Sequence, residues 1–345
     1  MRISLAASAA FLSLALLAGC SGSDAGDGDD LKGTTVISYN TPEQWANWGG
    51  VLKEFSSQTG IKAPNDPKNS GQTLAALEAE KAKPAADVAY YGIVFGYQAV
   101  EKDLVQAYKP AGFDEVPEAL RDAEGKWVAV HQGAVAMLVN TDELGGAPVP
   151  KCWNDLTKPE YKGKVAYLDP TQAAVGYSVL TAANLSLGGS LDDPAKGLAW
   201  AKSMKGNGVA NPVQTATAQL QAGEIPILID ADFNGYKLKE EGAPIEVVYP
   251  CEGTIGIPYT MSLVKGAPNE KQGKKLLDFA LSDEGQKRFA EAYLKPMRKV
   301  EMPENVKKEF PSDAEYDKLV KAPDYKKMKD VQETTVEQYK KQVQG

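Results

Sequence analysis

Short apolar runs alternate with amphipathic stretches along most of the chain, and each switch of hydrophobic period marks a change of element. Residues 35–39 and 86–90, TVISY and ADVAY, have the length and the β-branched or aromatic content of strands. Residues 43–58 carry apolar positions at helical spacing and stop before Gly60, and residues 74–83 form a second helical stretch. Two further strands are expected at 127–130 and 134–139, split by His131-Gln132-Gly133. A strand at 164–168 then leads into Asp169-Pro170-Thr171, which opens a helix running to about residue 187. Asp193-Pro194 predicts another helix, with Asp as N-cap and Pro at the first helical position. A helix at 215–223, a strand at 225–229, a helix at 233–241 and a strand at 245–248 follow. The last strand is expected at 260–264, before the capping-box spacing of Asn269 and Gln272, and a final pair of helices from residue 311. This alternation is that of an α/β protein.

The first residues obey a different rule. Arg2 precedes an apolar stretch and then small residues, the parts of a secretory signal over residues 1–19. A membrane span needs roughly 20 apolar residues, and this stretch is shorter and interrupted by Ser4, Ser8 and Ser13. Leu17-Ala18-Gly19-Cys20 resembles the lipobox of bacterial lipoproteins, which implies a lipid on Cys20 and a mature chain beginning there. Residues 20–32, rich in Gly, Ser and Asp, read as a flexible linker behind that lipid anchor. The expected location is extracytoplasmic, tethered to a cell membrane.

Composition narrows the picture by exclusion. With 345 residues the chain has room for about two domains at roughly 150 residues each. Its 38 Lys and Arg against 46 Asp and Glu give a net charge of −8, or −9 once residues 1–19 remove Arg2. Nucleic acid is therefore not an expected partner, because that affinity comes from basic residues neutralising phosphates. A single histidine, His131, excludes motifs built on two. After Cys20, Cys152 and Cys251 remain, an even number in an oxidising compartment; a disulfide is expected, and two buried thiols are the alternative.

Four segments carry a resemblance: the lipobox; residues 36–61 from VISYNT to FSSQTGI; residues 256–269, GIPYTMSLVKGAPN; and residues 276–298, with ALSDEGQ and LKPMR. In this order and spacing the chain resembles the bacterial extracellular solute-binding proteins of ABC importers, in the branch with ferric-ion, polyamine, thiamine and aminoalkylphosphonate binders. The resemblance implies the type II periplasmic-binding-protein fold: two α/β lobes joined by crossover strands, closing on a ligand between them. Lobe one is expected at 33–140 plus 256–300 and lobe two at 141–255, with C-terminal helices at 301–345. It implies a non-enzymatic, monomeric receptor that hands a small molecule to an ABC permease, with no cofactor, metal or catalytic residue.

Ligands of open α/β sheets bind beyond the carboxyl ends of strands. The turns there offer Tyr39, Asn40, Thr41 and Trp45; Tyr90 and Tyr91; Asp169, Thr171 and Gln172; Asp230, Asp232 and Asn234; and Tyr259. Asp230 and Asp232 share a face if their strand persists that far. Asp169 equally reads as a helix cap, and Trp45 with Trp48 as the core face of a helix. These turns contain no Arg or Lys, whereas aromatics and carboxylates converge, which favours an organic cation such as a polyamine. Ferric iron, an aminoalkylphosphonate or a sugar are alternatives on the same fold, as is a hydrolase using the Asp230 and Asp232 carboxylates.

Overall fold

The computed structural model describes residues 31–213 and 216–345. The proposed signal segment and Cys20 lie outside the described residues.

Strand β1 (Ser38–Tyr39) leads through a loop to helix α1 (Trp48–Thr59), then α2 (Ser70–Ala79), β2 (Val88–Gly92), α3 (Ile93–Glu101) and β3 (Val105–Gln106). Helix α1 buries Trp48, Val51, Leu52 and Phe55, one stripe at helical spacing, and ends at Gly60, whose φ of 73° lets its N–H reach the Ser56 carbonyl. It starts five residues later than the sequence suggests. Ala46 and Asn47 take left-handed backbone just before it, so the chain turns there and continues as a loop.

Strand β4 (Val128–Asn140) is the first of two long crossovers. His131-Gln132-Gly133, expected as a break, is inside it; a bulge between Ala129 and His131 absorbs the irregularity and the ladder continues. There follow β5 (Val165–Tyr167), α4 (Ala174–Ser186), α5 (Ala195–Gly206), α6 (Thr217–Gln221), β6 (Ile227–Ala231), α7 (Asp232–Glu240) and β7 (Ile245–Val248). The second crossover, β8 (Thr254–Val264), precedes α8 (Glu270–Leu281), α9 (Asp283–Ala290) and β9 (Lys295–Pro296). The sheet order is β1-β2-β8-β4-β6-β5. Strand β4 pairs with β8 up to Ala134 and with β6 from Val135 onward, so one strand serves both lobes. Strand β8 returns to pair with β2 from Tyr259 to Leu263. The mixed sheet with helices on its faces is the two-lobed type II arrangement that the sequence implies.

The chain ends in α10 (Glu304–Glu309), α11 (Asp313–Leu319), β10 (Val320–Lys321), α12 (Tyr325–Asp330) and α13 (Gln332–Tyr339), with three short α-helices from residue 311 onward where a pair was expected. They touch both lobes: Gln98 of α3 donates to Gln332 at 2.6 Å, and Tyr177 of α4 donates to the Met328 carbonyl at 2.7 Å.

Two motifs of the family resemblance prove to be supports. Buried Gln286 donates to the carbonyls of Val130 and Ala280 and accepts from the amides of Met297 and Arg298, pinning the end of lobe one to β4. Asn269 does not cap α8 with its side chain; its amide and Nδ2 both donate to Asp87. Cys152 and Cys251 form a disulfide with Cα atoms 4.8 Å apart.

Candidate functional site

Three helices aim their N-termini at the space between the lobes. Helix α2 begins at Ser70, with Asn69 as a capping-box residue whose side chain accepts from the Gln72 amide. Helix α3 begins directly after β2, with Gly92 as N-cap; α4 begins after Ala173, and neither is capped by a side chain at that position. The first-turn amides of a helix have no intrahelical acceptor, and each N-terminus carries about half a positive charge.

A cavity is lined by Asn40, Trp45, Lys68 and Ser70 on one side and Ala173, Ala174 and Val175 on the other, with Tyr259 shared. A second is walled by Ile93, Val94 and Phe95 and by Ala174, Val175 and Tyr259. Common walls make them adjoining parts of one cleft. The lobes meet across it: Asn69 Nδ2 donates to the Val213 carbonyl at 3.3 Å, and Trp45 packs edge-on against Phe233 at 5.1 Å.

Beneath the cavity lies a buried aromatic floor. Trp45 Nε1 donates to the Tyr90 hydroxyl at 3.2 Å, and that hydroxyl lies 2.7 Å from His131 Nε2. Tyr259 stacks on both Tyr90 and His131. Burial drives the chemistry here: it pushes the phenols of Tyr90 and Tyr259 far up and the His131 imidazole down to about 3, so all three are neutral near pH 7.

Of the residues expected at the site, Asn40, Trp45 and Tyr259 line the cavity. Asn40 holds left-handed backbone and donates from Nδ2 to the Tyr90 carbonyl at 2.8 Å. Tyr90 belongs to the floor. Tyr91 turns to the opposite face of β2 and donates to Ser262, as period-two alternation requires. Thr41 is buried against Ser38, and Tyr39 donates to Glu80. Asp169 accepts from the Thr171 amide two residues on, closing a turn three residues before α4 begins. Thr171 is partly exposed and Gln172 exposed at the rim.

Asp230 and Asp232 are fully buried and absent from the cavity lining. Strand β6 ends between them, so they do not share a strand face; Asp232 opens α7. Its Oδ1 accepts from the amides of Ala134 and Phe233, and Oδ2 from the Tyr249 hydroxyl, stapling β4 to α7; burial still pushes it up to about 6. Asp230 accepts from the Ala231 amide and from Asn234. Among the described residues, the His, Cys, Asp and Glu side chains close enough together for a metal ion are Cys152, Cys251 and Glu252, with both sulfurs in the disulfide.

Sequence reasoning missed Lys68, Asn69, Ser70 and the 173–175 backbone. Lys68 corrects the expectation of a cleft without basic residues, since it follows no strand of its own. The Asn69–Gln72 capping-box spacing was the available signal for the start of α2.

The chain matches the family described as bacterial extracellular solute-binding protein over residues 83–331. A putative 2-aminoethylphosphonate-binding periplasmic protein of Salmonella typhimurium is 29% identical over 245 residues, 69% of each chain. The spermidine/putrescine-binding periplasmic protein of the same species is 26% identical over 296 residues, 80% of each chain. Among solved structures, the periplasmic binding protein AfuA of Actinobacillus pleuropneumoniae, with fructose-6-phosphate bound, superposes with a TM-score of 0.79 at 26% identity, covering 91% of this chain and 99% of AfuA. Among the described residues no helix is long and apolar enough to cross a membrane. Fold, strand order and family match agree: this chain belongs to the bacterial extracellular solute-binding proteins, which bind small molecules outside the cytoplasmic membrane and deliver them to ABC permeases.

Proposed function

We propose that the solute carries a phosphate or phosphonate group, recognised by backbone amides at the helix N-termini. The observation that carries this reading is the convergence of α2, α3 and α4 on one cleft. Three such ends contribute about one and a half positive charges, in a site whose described lining residues include no carboxylate. The relative named for 2-aminoethylphosphonate and the fructose-6-phosphate complex of AfuA support the same class.

An organic cation is the second reading. Trp45 and Tyr259, with ring centroids 5.7 Å apart, offer aromatic faces, and one relative is named for polyamines. The carboxylates it requires, Asp230 and Asp232, are engaged by the protein's own donors. The same engagement disfavours hydrolysis by that pair. A thermal-shift screen of alkylphosphonates, sugar phosphates, polyamines, free sugars and ferric citrate decides between them. Stabilisation by phosphate or phosphonate compounds supports the proposal; stabilisation by polyamines alone refutes it. Export by residues 1–19 and a lipid tether at Cys20 complete the proposal, and a Cys20→Ser variant released from membranes would support the tether.

A further inference from the structure

Lys68 stands on the cavity wall in surroundings that suit a bound amine. Its Nζ lies 3.8 Å from the centroid of the Tyr39 ring and 2.7 Å from Asp66 Oδ2. An aromatic face with a carboxylate beside it is the pair of contacts that holds an organic ammonium. Both contacts are fixed from behind. The other Asp66 oxygen accepts from the amides of Asn40 and Lys68, at 2.9 and 3.1 Å, and the Tyr39 hydroxyl donates to Glu80 at 3.0 Å. The side chains of Lys68 and Asp66 are only 31% and 18% exposed, so water screens the pair incompletely.

We propose that Lys68 is an internal ammonium filling an amine subsite of the ligand cavity, and that it sets the charge selectivity of this receptor. With Lys68 in place, Asp66 and the Tyr39 face are satisfied, and the wall shows an incoming solute the positive end of the pair. A solute ammonium finds its place taken, and an anionic group meets Lys68 beside the N-terminus of α2. Remove the side chain and the carboxylate and ring remain, now free to take an amine from solution. The inference rests on reading this cavity as the ligand site.

The test compares the mature wild-type protein with Lys68→Ala and Lys68→Ala/Asp66→Asn, each titrated calorimetrically with propylammonium chloride and with propylphosphonate. The alanine variant should bind propylammonium about tenfold or more tightly than wild type, and the double variant should lose that gain. Propylphosphonate should bind Lys68→Ala about tenfold more weakly, with a shallower dependence on salt. A folded Lys68→Ala protein with no gain for propylammonium overturns the inference, as does a gain that survives Asp66→Asn. If the alanine variant melts below the assay temperature, Lys68→Gln serves the same comparison, because a neutral amide also leaves Asp66 without its cation. Failure of the wild type to bind any phosphate or phosphonate defeats the proposed function, while the propylammonium result still decides the role of Lys68.

Discussion

Gly71 offers a direct perturbation of lobe closure. It occupies the second position of α2, and a Cβ built on it lies 2.7 Å from the carbonyl oxygen of Gln172 in the opposite lobe. The backbone there is helical, so alanine fits α2 itself and exceeds glycine in helix propensity by roughly 0.5–1 kcal/mol. Gly71→Ala should therefore hold or raise the melting temperature of the unliganded protein. The closed form pays instead, because backbone cannot swing aside as a long side chain can. Overpacking of this kind costs about 1–3 kcal/mol. Affinity for the ligand should fall about 5- to 150-fold, since ~1.4 kcal/mol is a factor of ten. Relief by parting the lobes also stretches the Asn69–Val213 hydrogen bond, already 3.3 Å long. Calorimetry supplies the affinity, and small-angle scattering of the liganded protein reports whether it remains more open. Wild-type affinity in a folded Gly71→Ala protein would show that the ligand is not held by this closed arrangement.

Three further outcomes follow from the same structure. Asp232, raised by burial from 3.8 to about 6, binds its proton more tightly folded than unfolded; the stability this contributes is full below about pH 4 and lost as pH rises through 6. Asp232→Asn should flatten that part of the profile, worth about 3 kcal/mol in urea unfolding, and identical slopes in the two proteins would contradict it. Replacing both Cys152 and Cys251 with Ser opens a crosslink spanning 99 residues and should lower stability by at most roughly 4 to 5 kcal/mol, while ligand affinity stays within about twofold because neither residue lines the cleft. Trp45 joins the cavity to the Tyr90 floor, so ligand binding should change tryptophan emission, and Trp45→Phe should abolish most of that change; an undiminished signal would assign it to one of the other four tryptophans.

Much of the fold was legible because hydrophobic period survives in the sequence. The stripe of Trp48, Val51, Leu52 and Phe55 and the apolar runs of β2 and β6 are set by burial, and burial leaves a pattern. Element boundaries were less legible where tertiary partners override local signals. Gly133 was expected in a break and the last strand to start only at residue 260, yet Gly133 and Pro258 both lie inside the β4–β8 ladder. Asn269 looks like a cap and serves Asp87 instead, a residue far away in sequence.

At the site, part of the cavity lining was readable, as with Asn40, Trp45 and Tyr259. Carboxylates were misleading, because Asp230 and Asp232 look the same in sequence whether they face solvent, ligand or the amides that now hold them. Backbone amides leave no residue signature at all: in the proposed site the N–H groups of Ala174 and Val175 are ones that any side chain would carry, and the Ala173 amide is already donated to the Asp169 carbonyl. Lys68 was hidden for a related reason. Its position depends on Asp66 and Tyr39, and only the folded loop places them together.

Where the recognised group sits is the central question. A crystal structure of the protein with its tightest phosphate or phosphonate ligand answers this directly. The oxygens of that group should lie about 2.7–3.2 Å from first-turn amide nitrogens at the converging N-termini of α2, α3 and α4, with Tyr259 beside them. A ligand held through an ammonium against Asp230 or Asp232, or an anionic group placed away from those helix ends, would contradict it.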